Sequence, residues 1–211
     1  MPSSVWVWEQ SLRHYRNVRT GRFIGINEMN TLRVTFMNSQ KAYMEGLVVQ
    51  YYEGSITLSA FEVAVKKTLK ETYIDMYGLG AGGRHALSQA DWGRIGAMLK
   101  EQYGKTGYLG NMMAQIANEQ VSPAQAIARL NMYVNSANEA LWRGYLSDMG
   151  FQLPAYPGDG STVCLTNCQC TWEIVAVEDG YDCYWRLGDT EHCPDCLQRS
   201  IEWNPWHWPE V

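Results

Sequence analysis

The chain has 211 residues, of which 46% are hydrophobic and 18% are charged, and its net charge is −5. This composition is typical of a folded chain and excludes a disordered one. It contains no apolar run of the roughly 18–20 residues that a membrane span requires and no N-terminal secretory signal, so we expect synthesis and folding in a reducing cytoplasm.

The N-terminal residues 1–27 are predicted to be an irregular arm. They contain the basic stretch RHYRNVRTGR, which is most simply an exposed, solvated segment and otherwise a phosphate contact. Its arginines are Arg13, Arg16, Arg19 and Arg22. Residues 1–150 carry 15 Lys and Arg against 12 Asp and Glu, and residues 151–211 carry 2 against 10. Neither part has the basic balance of a general DNA-binding protein.

Residues 28–150 are predicted to form an α-helical domain, because apolar residues recur there at helical spacing between turn signals. The first helix is expected over residues 28–52. A capping box, Ser59-x-x-Glu62, indicates where the second helix begins.

Two further serines predict later helix starts. Ser88 is expected to cap a third helix. Ser122-Pro123-x-Gln125 combines a capping box with proline at the first helical position. The helix that it opens is predicted to continue without a break to Gly150.

No catalytic residues are predicted. Residues 78–83 match G-x-G-x-x-G, but a dinucleotide site needs a strand before the glycines, and here a helix is expected. We therefore interpret them as a helix–helix connector. His192 precedes Cys193, but adjacent residues of an extended chain point to opposite faces, so they make a poor base–nucleophile pair.

A Pro/Gly-rich stretch at residues 151–160 is predicted to be a linker to a small β unit at residues 161–211. Within that unit, residues 171–177 and 181–187 form two β-rich runs joined by Glu-Asp-Gly, which predicts a hairpin. A short helix is expected after Cys196, followed by an aromatic tail interrupted by proline. The expected fold class is therefore mainly α, with a helical domain followed by a cysteine-rich, zinc-ribbon-like hairpin unit.

All six cysteines lie between residues 164 and 196. Two close pairs brought together across a hairpin are the usual source of a tetrahedral thiolate site. The pairs with suitable spacing are Cys164-x-x-x-Cys168 and Cys193-Pro-Asp-Cys196. We therefore predict a structural zinc ion bound by these four cysteines, with Cys170 and His192 as alternate ligands.

Disulfides and a redox role remain alternatives to zinc. Six cysteines allow 15 disulfide pairings, although a reducing compartment disfavours them. A thioredoxin-like CxxC would be expected near a βαβ pattern, and the sequence predicts none. Cys170 and Cys183 are left outside the preferred four, as core thiols of the hairpin or as a late disulfide. A unit of this size buries little apolar core, so it would need a stabilising metal.

The segments CLTNCQCTW, YWRL and EHCPDCL resemble the C-terminal end of minor head (head morphogenesis, Mu gpF-like) proteins of tailed bacteriophages. YRNVRTGRFIG and SPAQAIARLNMYVNSA, further upstream, are similar in style. The resemblance implies a virion structural or assembly protein in the capsid, assembled in the host cytoplasm. It would act in several copies by contact with portal or major capsid protein, without a membrane and without catalysis. The alternative is a zinc-containing adaptor that binds nucleic acid or a regulatory partner, which the acidic charge of residues 151–211 disfavours.

Overall fold

A computed structural model describes residues 2–103, 107–147, 149 and 152–209 of the chain. The chain divides into two compact units, Met1–Gly150 (unit 1) and Phe151–Val211 (unit 2). The fold is mainly helical, as predicted, and each unit also contains a small antiparallel sheet. Among the described helices, none is both long enough and apolar enough to cross a membrane.

The described part of unit 1 begins with three short strands and continues with helices. These are β1 (Trp6–Glu9), β2 (His14–Asn17), β3 (Phe23–Ile24), α1 (Ile26–Tyr52), α2 (Leu58–Gly80), α3 (Gln89–Tyr103), α4 (Tyr108–Ala117), α5 (Pro123–Asn135) and α6 (Ala137–Tyr145). The described part of unit 2 is built mainly of strands. Its elements are β4 (Thr171–Val177), β5 (Gly180–Arg186), α7 (Pro194–Glu202) and β6 (Trp206–Pro209).

The start of α2 differs from the prediction. The Thr57 hydroxyl, and not that of Ser59, accepts a hydrogen bond from a backbone amide in the first turn, that of Ala60, at 3.2 Å. Because the helix begins at Leu58, Ser59 already lies inside it. Both residues are of the type that caps helices, and the sequence pattern alone did not distinguish them.

The capping box at the start of α5 is confirmed. The Ser122 hydroxyl accepts from the Gln125 amide at 3.3 Å, and the Gln125 side chain accepts from the Ser122 amide at 2.9 Å. The prediction of one continuous helix beyond it is wrong, because the helix is interrupted at Ser136, between α5 and α6. The Ser136 hydroxyl donates to the Tyr133 carbonyl at 2.8 Å and lies 2.6 Å from the Tyr73 hydroxyl of α2. Gly150, the predicted end, lies outside the described residues.

Helix α2 forms the centre of unit 1 and packs against α1 and α6. Its buried side chains include Phe61, Leu69 and Tyr77. The glycine-rich stretch is a connector only in its second half, because Gly78 and Gly80 lie in the last turns of α2. Gly80 allows the α6 backbone to approach closely, since a Cβ there would lie 2.0 Å from the Leu141 carbonyl oxygen.

Residues 2–24 do not form an irregular arm. The three strands pair in the antiparallel order β1–β2–β3, and their buried residues Trp6, Tyr15 and Ile24 cluster with Leu79 of α2. The Ser3 amide donates to the buried Asp75 carboxylate at 3.1 Å, and the Ser3 hydroxyl also bonds to it. The prediction failed because these strands are short and bury their apolar side chains against a helix distant in sequence.

In unit 2 the predicted hairpin is confirmed as β4 and β5, in antiparallel register with Val177 opposite Gly180. The predicted linker is wrong for its described residues, 152–160. The Trp172 indole donates to the Ala155 carbonyl at 3.0 Å, and Leu153 and Tyr156 are buried. These contacts place that segment within the unit.

The aromatic tail also differs from the prediction. Residues 206–209 form β6, which pairs with β5 and completes a three-stranded sheet. The register sets Trp206 opposite Cys183 and Trp208 opposite Tyr181. Pro209 lies on this edge strand, where proline is tolerated because its missing N–H does not interrupt a central ladder.

Candidate metal centre

Two segments of unit 2 carry the cysteines that come together. The first runs through a 3₁₀ turn, Leu165–Asn167, with Cys164 before it and Cys168 after it. The second is the start of α7, where Cys193 occupies the N-cap position, Pro194 is the first helical residue and Cys196 lies in the first turn. Proline is favoured there because its missing N–H would have no helical partner. The short helix was predicted after Cys196, but it begins at Pro194, so Cys196 belongs to it.

Polar contacts hold the two segments together. The Val163 amide donates to the Asp195 carboxylate at 2.8 Å, and the Arg199 guanidinium donates to the Ser161 carbonyl at 3.1 Å. Asp195 and Arg199 are four residues apart in α7 and so lie on the same side of the helix. The loop before Cys164 is thus bound to the helix that carries Cys193 and Cys196.

An aromatic cluster packs against Arg199 of α7. Trp172 stacks on Trp203 with ring centroids 5.5 Å apart, and both make edge contacts with the buried Trp185. The Arg199 guanidinium lies 5.2 Å from the Trp185 ring and 5.1 Å from the Trp203 ring, within the range of cation–π contacts. Arg199 therefore connects the cysteine loop to Trp185 of the sheet and to Trp203 at the end of α7.

Five of the six thiols form a cluster centred on Cys196, which the other four approach. The Cys196 Sγ atom lies 3.9 Å from that of Cys164 and 3.6 Å from that of Cys168, and the Cys164 and Cys193 Sγ atoms are 3.7 Å apart. Two sets have all their sulfur atoms within 4.8 Å of one another. They are Cys164, Cys193, Cys196 and Cys168, Cys170, Cys196. Sulfur atoms bonded as a disulfide would be about 2.05 Å apart, so the three measured separations belong to free thiols.

The surroundings shift the pKa values of these thiols in opposite directions. Burial raises the pKa of Cys193. Hydrogen bonds from the nearby backbone amides of Cys196 and Cys164 lower it by more, so that the pKa is about 7. For Cys168, the bond to the Cys170 thiol and then burial raise the pKa. The same bond is the main cause that lowers the pKa of Cys170. The surroundings therefore favour the thiolate form at Cys193 and Cys170 and the thiol form at Cys168.

Of the four cysteines predicted as ligands, Cys164, Cys193 and Cys196 form one convergent set, whereas Cys168 joins Cys170 and Cys196 in the other. In the extended segment 168–170, residues two apart lie on one side, so the thiols of Cys168 and Cys170 share a side while Gln169 is exposed. This alternation was visible in the sequence and could have placed Cys170. His192 belongs to neither set of convergent atoms, and Cys183 is a fully buried thiol of β5 outside the cluster.

Two of the four arginines of the N-terminal stretch form ion pairs with carboxylates. Arg16 of β2 pairs with Glu9 of the neighbouring strand β1 at 2.6 Å, and Arg22 pairs with Glu28. Arg16 and Arg22, two of the four arginines considered for phosphate contact, are thus paired with carboxylates.

The Gly-rich match to a dinucleotide fingerprint is also explained structurally. In the described residues, the element before the match is the α-helix α2, and not a strand, and Gly78 and Gly80 lie within that helix. Gly82 and Gly83 adopt positive φ angles in the turn that follows. Glycine is favoured in that region because it has no Cβ. The residues thus serve helix packing and the connection to α3.

No family model matches this chain, and neither the curated proteins nor the solved structures contain a match.

Proposed function

We propose that this chain is a non-catalytic structural or assembly protein of a virus particle, a minor head protein of the tailed-bacteriophage class. Its C-terminal unit is folded around one structural zinc ion. The cluster of five thiols centred on Cys196 is the observation that carries the zinc assignment. The resemblance of the NCQC and HCPDC segments to the ends of minor head proteins is what suggests the class of protein.

The spacing of the thiols supports zinc. Zn–S bonds of about 2.3 Å in a tetrahedron place sulfur atoms about 3.8 Å apart. The three Sγ–Sγ separations given above, 3.6, 3.7 and 3.9 Å, match that edge length for three of the six edges of such a tetrahedron. A turn with cysteines at both ends, a CxxC at a helix start and a hairpin between them make a zinc-ribbon-like unit.

The chemistry of the cluster supports a structural role. Four protein thiolates fill a tetrahedral zinc site and leave no position for a water molecule or a substrate. Binding of zinc to such sites contributes on the order of 10–16 kcal/mol of apparent free energy, which a unit with a small core requires. The acidic charge of unit 2 and the half-buried Trp206 and Trp208 of its edge strand suit protein–protein contact, with portal or major capsid protein as the partner implied by the resemblance.

Metal analysis of the full chain tests the zinc assignment. Protein purified without added metal should contain about one zinc ion per chain. Cys193→Ser should lose the ion, whereas Cys183→Ala, which changes a buried cysteine outside the cluster, should retain it. A wild-type chain with no metal and with disulfides by mass spectrometry would overturn the assignment.

Co-purification tests the class of protein. The chain should be captured by the portal or major capsid protein of the same genome, in more than one copy per assembly, and should be detected in purified particles by mass spectrometry. Absence from particles together with tight, salt-dependent DNA binding through unit 2 would instead identify the nucleic-acid adaptor. The Cys193→Ser variant should lose partner binding if the zinc unit makes the contact.

A further inference from the structure

We infer that Cys168 and Cys170 are alternative fourth ligands of one metal ion, whose other three ligands, Cys164, Cys193 and Cys196, are fixed. The inference rests on the proposed zinc site and assigns a separate role to each of its five thiols. The predicted quartet, for which Cys170 and His192 were alternate ligands, is thereby replaced by a site with three fixed ligands and one exchangeable position.

The fixed part of the site is the first set of three cysteines. Their sulfur atoms lie within 4.8 Å of one another, and two of the pairs are at 3.7 and 3.9 Å. They come from both sides of the site, Cys164 from the loop and the other two from the start of α7. The bonds of Val163 to Asp195 and of Ser161 to Arg199 fix the distance between these two segments.

The exchangeable part is the segment 168–170. Cys168 and Cys170 each lie within 4.8 Å of the Cys196 sulfur and of each other, so both thiols lie beside Cys196, the residue that the two sets share. They are buried to a similar degree, with 6% and 5% of their surface exposed. The extended backbone between them turns both thiols to the same side, and a small shift of this segment would exchange one for the other.

Charge favours one of the two over both. A divalent ion with four thiolates carries a charge of about −2, and a fifth ionised thiolate in the same buried place would add another uncompensated charge. A tetrahedral zinc site also takes four ligands, so only one of the two sulfur atoms completes the site at a time.

The test compares single and double variants of the full chain. Cys168→Ser, Cys170→Ser, the double variant, Cys193→Ser and the control Cys183→Ala are purified and analysed for zinc, and zinc affinity is measured by competition with a chromogenic chelator. Each variant is also unfolded under reducing conditions and refolded with one equivalent of Co²⁺, whose d–d bands report four-coordinate binding. Binding is thus measured even for a chain that loses its metal on purification.

Each single variant, Cys168→Ser or Cys170→Ser, should keep about one metal ion per chain, with an affinity within about tenfold of wild type. The double variant should lose the ion as Cys193→Ser does. If Cys168→Ser or Cys170→Ser alone abolishes binding, that cysteine is the fixed fourth ligand and the inference is wrong, although the zinc site stands. If the double variant still binds as wild type does, neither is a ligand. A wild-type chain that binds neither metal would overturn the proposed function itself.

Discussion

Gly144 of α6 lies so close to Tyr77 of α2 that a Cβ atom added at Gly144 would stand 2.1 Å from the Tyr77 carbonyl oxygen. Gly80 makes the reciprocal approach to the α6 backbone at Leu141. The two helices therefore meet backbone to backbone at this end of α2. Atoms in such a contact belong to the main chain, so a larger side chain could be accommodated only by separating the helices.

Gly144→Ala should lower the free energy of unfolding of unit 1 by about 3 kcal/mol, because the overpacked contact cannot relax by a rotamer change. The measurement is urea denaturation followed by far-ultraviolet circular dichroism. Gly96→Ala is the matched control, since Gly96 lies in α3 with open space at its Cβ position. That variant should gain roughly 0.5–1 kcal/mol from helix propensity. Equal effects of the two substitutions would contradict the close contact.

The buried Asp75 should make unit 1 less stable as the pH rises. Burial raises its pKa above the usual value, although the hydrogen bonds from Ser3 and the charge of Arg84 lower it in part. A carboxyl whose pKa is raised by folding binds more protons in the folded state. Its contribution is present below the unfolded pKa of about 3.9 and is lost as the pH rises through the folded value.

Asp75→Asn tests this dependence, because asparagine keeps an oxygen that can accept from Ser3 and does not ionise. Relative to the variant, the wild-type chain should lose stability as the pH rises from about 4 towards neutrality. Thermal denaturation of both proteins across this range is the measurement. A stability difference that does not change with pH would show that the carboxyl does not titrate there.

Local signals explain what could be predicted of unit 1. The capping box of Ser122 and Gln125 involves residues three apart, so it was visible in the sequence and is present in the structure. The N-terminal sheet was missed because its strands have only two to four residues. Its apolar residues are buried by Leu79, which no local pattern connects to them.

In the candidate site, too, the features set by local sequence could be predicted and those set by distant contacts could not. The two cysteine pairs identified a cluster because thiol spacing is a local property of the chain. The position of Cys170 depends on the extended conformation of residues 168–170, and β6 depends on pairing with a strand more than twenty residues earlier. Proline and tryptophan in the tail indicated an irregular segment, whereas the edge of an existing sheet accepts both.

Removal of the proposed zinc ion should unfold unit 2 and leave unit 1 folded. The two units have separate cores, and only the second contains cysteines. We expect a chelator to shift the unfolding of unit 2 to lower temperature and to expose Trp172, Trp185 and Trp203 to solvent, because the binding energy of such a site is folding energy. Limited proteolysis should then degrade residues 151–211 and spare the helical unit. Restored zinc should reverse both effects, and degradation of both units together would contradict their independence.

Gly188 should matter for metal affinity although its backbone conformation needs no glycine. A Cβ atom there would stand 2.6 Å from the Gln169 carbonyl oxygen, so the chain after β5 packs directly on the segment that carries Cys168 and Cys170. The Gly188 amide also faces the Cys170 thiol and lowers the pKa of that group. Gly188→Ala would displace this segment, and with it the thiols of Cys168 and Cys170.

We expect Gly188→Ala to weaken zinc binding by about 10–100-fold, the usual effect of disturbing groups that orient metal ligands. Chelator competition on the full chain measures it, and the circular dichroism of the helices should not change. Gln169→Ala is the control, because it removes an exposed side chain and leaves the backbone carbonyl in place. That variant should bind zinc as wild type does. Weakening by Gln169→Ala as strong as that by Gly188→Ala would assign the effect to the side chain and reject the backbone contact.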